Sequence, residues 1–211
     1  MLKIIPFIYN NDPDELLANT YVLVDSDNSC LVVDPSKNNE NIKNFIIKNN
    51  YCLKAVLLTH GHFDHFGGAE ILLNYFKVPL YIGYEDEKML LDPSMNCSKY
   101  IKESYCLETK VENYPNNGQL SLLNEVVEVI PTPYHTKGSV CFYLKQNGVV
   151  LSGDLIFKHT IGRDDLPNNS RKDKNESLSK ILSLPAEVKI YPGHGQFTTV
   201  LEEQNTNNFV K

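Results

Sequence analysis

Residues 60–65 read His-Gly-His-Phe-Asp-His, directly after the apolar run Leu53–Thr59. Three of the chain's six histidines fall within these six positions. A carboxylate beside two imidazoles is costly to bury unless something pairs with it, and a bound cation removes that cost. The cluster therefore predicts a metal site. It also constrains the fold, because a continuous apolar run is what a strand covered on both faces requires. Such a strand delivers His60 at its C-terminal end, where open α/β sheets place their ligands.

The rest of the chain supplies the layers. Lys3–Tyr9, Thr20–Asp25 and Ser29–Asp34 have the composition of short strands separated by Asn, Asp and Ser turns. Asp34-Pro35-Ser36 is expected to open a helix with Ile42, Phe45 and Ile46 on one face, and Gly67-Gly68 to lead into another carrying Ile71, Leu72 and Tyr75. Leu80–Ile82 reads as a strand and Glu85–Leu91 as a short helix. Glu125–Pro131, Ser139–Lys145, Val149–Ser152 and Val188–Tyr191 read as further strands, with Asn147-Gly148 as a hairpin signal. Ser177–Leu184 and Val200–Asn205 read as helices. Two groups of strands, each with helices outside, predict a four-layer αββα sandwich. One domain over residues 1–211 is expected, with a surface insertion around 92–118, where Pro, Asn, Ser and Lys break the pattern.

Three later segments repeat the theme of the first. Thr132-Pro133-Tyr134-His135, Ser152-Gly153-Asp154 and Tyr191-Pro192-Gly193-His194-Gly195 each follow a strand and each present a metal-binding side chain in a Gly- or Pro-containing turn. Five of the six histidines thus lie in strand-end loops, His159 being the exception. A lone histidine at a strand end is usually a hydrogen-bonded loop residue, and Asp64 alone could cap the helix that follows it. Their joint occurrence is what points to metal. Imidazoles and carboxylates without thiolate suit zinc, iron or manganese. Seven ligands exceed one tetrahedral ion and suffice for two divalent ions sharing a carboxylate and a water. A natural split gives His60, His62 and His135 to one ion and Asp64, His65 and His194 to the other, with Asp154 between them.

The net charge of −6 argues against a nucleic-acid partner, which would want clustered Lys and Arg. No stretch has the length of a membrane span, and the N-terminus lacks a signal-peptide pattern. Five scattered cysteines fit a reduced, cytoplasmic chain better than a disulfide scaffold. Oligomeric state is not legible.

Thr59–His65 with Gly67-Gly68 behind it resembles the signature of the metallo-β-lactamase superfamily, and the three later segments occur in that family's order, so that the match spans residues 20 to 195. The resemblance implies the αββα fold, a metal centre at one edge of the sandwich, and the ligand split above. Within the superfamily the chain is most similar to small glyoxalase II-like (hydroxyacylglutathione hydrolase-like) enzymes, through Gly162-Arg163-Asp164-Asp165-Leu166-Pro167, Tyr191–Gly195 and the tail containing Glu202-Glu203 and Asn207-Asn208-Phe209. It departs from them in three ways. The helical domain that grips glutathione in full-length glyoxalase II does not follow here. Asp165 stands where those enzymes have a glutathione-binding Tyr. Tyr134 stands where they have Gly, which is expected to narrow the pocket.

The resemblance implies hydrolysis of a thioester such as S-lactoylglutathione or a related hydroxyacyl thioester. Two zinc ions are expected, with iron or manganese as the other possibilities, and a metal-bridging hydroxide as nucleophile. Asp64 is expected to accept or relay the proton of that water, and Arg163 to pair with a substrate carboxylate. The alternative is a mononuclear iron, persulfide dioxygenase-like enzyme using His60 or His62 with His135 and Asp154.

Overall fold

A computed structural model describes residues 1–9, 17–36, 40–102 and 104–210. The first sheet runs β1 (Lys3–Phe7), β2 (Thr20–Val24), β3 (Ser29–Val33), β4 (Cys52–Leu57), β5 (Leu80–Ile82) and β6 (Val111–Asn113), in spatial as in chain order. The second half of the chain contributes β7 (Gln119–Leu120), β8 (Val127–Pro131), β9 (Val140–Leu144), β10 (Val149–Gly153), a two-stranded hairpin of β11 (Ile156–Phe157) and β12 (Thr160–Ile161), then β13 (Lys189–Pro192) and β14 (Thr198–Thr199). Without the hairpin these form a second sheet in the order β14-β13-β10-β9-β8-β7. The helices are α1 (Glu40–Lys48), α2 (Phe63–Phe66), α3 (Ala69–Phe76), α4 (Lys174–Leu182) and α5 (Val200–Thr206).

Every residue of β2, β3, β9 and β10 is buried, and alternation sends successive side chains to opposite faces. Val22, Val32 and Val56 pack outward against Ile42 and Ile46 of α1 and Leu72 of α3. Leu23, Leu31, Val33 and Leu57 face Val129, Phe142 and Leu151 of the second sheet. On that sheet's far side, Cys141, Tyr143, Val150 and Ile190 meet Leu178 and Ile181 of α4 and Val200 of α5. Three apolar clusters between four layers make the αββα sandwich that the sequence predicts.

Strand direction gathers the loops. β3 and β4 are parallel, so both end at one edge. β10 is parallel to β13, and β8 shares their direction because each is antiparallel to β9. Within each sheet these strand ends open toward one edge, and the Asn19 N–H to Gly193 carbonyl and Val140 N–H to Thr59 carbonyl bonds join the two edges.

Some local expectations change. Glu85–Leu91 is a 3-10 helix spanning Tyr84–Leu91, and it places Asp86 inside. The irregular stretch from 92 to 118 contains a 3-10 turn (Ser98–Ile101), a buried Leu107 and strand β6, which extends the first sheet alongside β5. β6 has three residues and a central Glu112, too short and polar to show a strand pattern. Among the described residues α1 begins at Glu40; the expected start just after Ser36 falls at 37–39, outside them. α4 starts three residues ahead of the expected Ser177. Asn147-Gly148 does connect antiparallel neighbours, with Gly148 at φ +59 closing the turn.

Candidate metal centre

Leu58 and Thr59 carry the chain out of β4 into the His60 loop. Gly61 must lack a side chain there, since a Cβ would lie 2.8 Å from Met89 Cβ. The single turn α2 then presents Asp64 and His65, with His62 as its N-cap residue. His135 follows β8, Asp154 follows β10 and His194 follows β13. The His194 loop is held from the first sheet: Asn19 donates to the Pro192 and Gly195 carbonyls (3.0 and 3.2 Å), and the Tyr21 hydroxyl to Pro192 (2.6 Å).

The seven predicted side chains converge. Ligand atoms of His60, His62 and His135 lie within 4.8 Å of one another, and so do those of Asp64, His65 and His194. In the first trio His62 Nδ1 faces His60 Nε2 at 3.0 Å and His135 Nε2 at 2.9 Å. In the second, His194 Nε2 is 3.1 Å and His65 Nε2 3.8 Å from Asp64 Oδ2. Asp154 sits between, with Oδ1 3.3 Å from His65 Nε2 and Oδ2 3.6 Å from both His135 Nε2 and His194 Nε2.

The far nitrogens of these rings are anchored, which fixes what the near nitrogens offer. His135 Nδ1 donates to the Arg163 carbonyl at 2.7 Å. His65 Nδ1 donates to Asp34 Oδ2 at 2.9 Å. Asp34 also accepts from the Thr59 N–H (2.7 Å) and hydroxyl (2.6 Å), and the Thr59 oxygen, 3.1 Å away, is left to accept from His60 Nδ1. Each of these three rings turns an Nε2 lone pair into the site. His65 Nε2 and Asp154 Oδ1 are buried and have no hydrogen-bond partner among the described residues. Groups so placed normally have partners; divalent cations would supply them, and an imidazole–carboxylate donor set fits zinc, iron or manganese.

Charge follows the same geometry. Burial pushes His60 well below the usual histidine pKa and His62 down to about 3. Burial disfavours charge on His65 too, but Asp154, Asp34 and Asp64 outweigh it and hold that pKa well above the usual value. Asp154 and Asp64 likewise raise His194 against its burial. Burial works to raise the two carboxyls; His65 and His194 overcome it at Asp64, and His194, His65 and His135 at Asp154, so both pKa values are lowered.

Arg163 lies on the rim of the cavity, about 840 Å³, that opens over both trios. Its guanidinium is engaged by Asp165, through Nε to Oδ1 at 2.6 Å and Nη2 to Oδ2 at 2.8 Å. Tyr134 does not narrow this cavity: its ring is buried in the outer core beneath α4, and its hydroxyl donates to the Gly162 carbonyl at 2.8 Å. His159 lies on the surface beside Thr206 and Glu202, outside the site. Sequence reasoning missed Asp34, Asp86, Asn19 and Tyr21. Only Asp34 carried a local signal, an Asp-Pro directly after the apolar run Cys30–Val33.

Comparison with known proteins agrees with this geometry. Residues 13–194 match the family described as the metallo-beta-lactamase superfamily. The chain is 33% identical over 195 residues to the probable metallo-hydrolase YqgX of Bacillus subtilis, covering 92% of each. It is 28% identical over 203 residues to the hydroxyacylglutathione hydrolase GloC of Haemophilus influenzae, covering 91% of this chain and 92% of that protein. Among solved structures it resembles BLEG-1 B3 metallo-beta-lactamase (TM-score 0.90, 30% identity, all of both chains) and TTHA1623 in a di-iron-bound form (TM-score 0.83, 29% identity, 97% of this chain and 99% of that one). The chain belongs to the metallo-beta-lactamase superfamily.

Proposed function

We propose that the chain is a two-metal hydrolase that cleaves a small-molecule thioester, S-lactoylglutathione or a related hydroxyacyl thioester. The observation that carries the reading is the pair of ligand trios with Asp154 between them, together with two buried candidate ligand atoms, His65 Nε2 and Asp154 Oδ1, that lack hydrogen-bond partners among the described residues. The likeness to GloC supports the thioester class. Zinc is the ion we assign on donor chemistry, and the di-iron-bound relative makes iron the competing assignment.

When bound, the two cations would supply Lewis acidity and a supply of hydroxide at neutral pH. His60, His62 and His135 would hold one, Asp64, His65 and His194 the other, and Asp154 would serve both. The chain's own residues would do the rest. Asp64 reaches the cavity and its lowered pKa keeps it a carboxylate, so it can accept the proton of the attacking water. Phe63, Ile161 and Leu166 line the cavity and would keep water from the acyl chain. Arg163 would meet a substrate carboxylate only by giving up Asp165. The five cysteines form no disulfide among the described residues, and no described helix is long and apolar enough to cross a membrane; we place the enzyme in the cytoplasm on the first of these observations.

A mononuclear iron oxygenase would use His60 or His62 with His135 and Asp154, and would leave the second trio without a task. Metal analysis on protein purified without chelators, alongside a thioester panel, tests the proposal. Two ions per chain and EDTA-sensitive thioester hydrolysis are expected. One iron per chain with oxygen uptake on glutathione persulfide would overturn it.

A further inference from the structure

Asp86 belongs to neither trio, yet its side chain is fully buried and its carboxylate is saturated. Oδ2 accepts from the Gly61 N–H at 3.0 Å and the Thr136 hydroxyl at 2.5 Å. Oδ1 accepts from the Gly138 N–H at 2.8 Å and the Asn168 side-chain amide at 2.8 Å. Gly61 lies between His60 and His62. Thr136 follows His135. Asn168 belongs to the segment that carries Arg163, and its carbonyl accepts from the Lys137 N–H at 2.8 Å. One carboxylate therefore ties together the two loops of the first trio, which come from different sheets, and the segment at the substrate rim. The surroundings are shaped to admit it. A Cβ on Gly138 would lie 2.6 Å from Asp86 Cγ, and one on Gly83 would lie 2.1 Å from the Gly138 carbonyl oxygen.

We propose that Asp86 is a positioning residue that sets the separation of the His60–His62 loop from the His135 loop, and through it the cation affinity of the first trio alone. The second trio is anchored elsewhere: His65 by Asp34, and the His194 loop by Asn19 and Tyr21. The inference rests on reading the trios as cation sites and is independent of the substrate. The chemistry at Asp86 is specific. Only a carboxylate offers acceptors alone, whereas an asparagine amide would turn N–H groups toward at least one backbone N–H that now donates.

The test is Zn²⁺ titration of metal-stripped protein against a chromophoric competitor, with Co²⁺ absorption as a second readout. Wild type, Asp86→Asn, Asp86→Ala and Asn168→Ala are compared, and His62→Ala marks loss of the first site. In both Asp86 variants one of two affinities should fall by about 10–100-fold, the range seen when the partner that orients a ligand is lost. The remaining Co²⁺ spectrum should match that of His62→Ala. Asn168→Ala, which frees only the rim segment, should keep both affinities. Wild-type affinities in a folded Asp86→Asn protein would overturn the inference, as would equal weakening of both sites, the mark of a general structural role. If Asp86→Ala does not fold, the near-isosteric Asn variant carries the test. Wild type that takes up no cation would instead overturn the metal reading of the site.

Discussion

Arg163 and Asp165 form a two-point ion pair on the rim of the metal cavity, 2.6 and 2.8 Å long, with both side chains more than half exposed (63% and 57%). An exposed pair of this kind contributes only about 0–1 kcal/mol. It nevertheless offsets the one Lys or Arg among the described residues lining the cavity. Asp165→Asn should therefore lower KM several-fold for thioesters carrying a carboxylate and leave KM unchanged for neutral ones. Steady-state kinetics on a matched substrate pair decides this, and an equal response from both would remove Arg163 from substrate recognition.

Asp64 is predicted to act as proton acceptor as well as ligand. Asp64→Asn protein that retains both ions should lose about 10²–10⁴-fold in kcat, the usual contribution of a positioned base. Elemental analysis beside the rate measurement is essential, and full turnover at normal metal content would end that assignment.

The close approach of Gly193 to Asp154 and His65 makes it a sensitive position. A Cβ there would lie 2.2 Å from Asp154 Oδ1 and 2.7 Å from His65 Cε1. Gly193→Ala should fold with a loss of about 1–3 kcal/mol, as overpacked sites do, and bind less than its full complement of metal. Urea melts and metal counting check the two halves of this expectation.

The trios should respond differently to pH. In the metal-free protein, carboxylates hold His65 and His194 above the ordinary histidine value, so they carry protons into the neutral range. Cation uptake at the second trio must displace those protons and should strengthen as pH rises. Burial already keeps His60 and His62 neutral, so they release no protons in this range. For folding without metal the sign is opposite. A raised histidine pKa adds stability that is complete below about 6.5 and lost as pH climbs through the folded-state value. Isothermal titration in buffers of different ionisation enthalpy should show the larger proton release at the second trio. His60 and His62 work the other way, since burial keeps them neutral and their folding cost grows as pH falls below about 6.5. Comparing chelator-treated wild type with His65→Gln at both pH values isolates the His65 contribution, which should be larger at about pH 6 than at about pH 8.

Chelation should also lower Tm, because ions that bind the folded state more tightly than the unfolded chain stabilise it. Thermal scans with and without EDTA, followed by Zn²⁺ repletion, measure this. Identical curves would mean that the trios bind no ion in the tested buffer.

The seven side chains that converge were legible because metal chemistry restricts residue type, and because tight spacing at 60–65 repeats a theme found at three later strand ends. Their supports were not. Asp86 sits between Glu85 and Glu87 with nothing local to mark it as buried. Its partners lie 25 to 82 residues away, and only the folded chain brings them together. Long apolar strands announced the two sheets, whereas β6, β7, β11, β12 and β14, at two or three residues, are too short for alternation to show. Tyr134 misled for a related reason. The side chain before His135 turns into the α4 layer, away from the cavity, and sequence order alone does not reveal that turn.

The His60–His65 cluster grows from the first sheet, whereas His135, Asp154 and His194 grow from the second. Neither half of the chain can hold an ion pair by itself, so a bound pair would act as a clasp across the two halves. Retained metal would thus serve as a spectroscopic record of their docking, and a fragment ending before β7 should give it up to mild competitors.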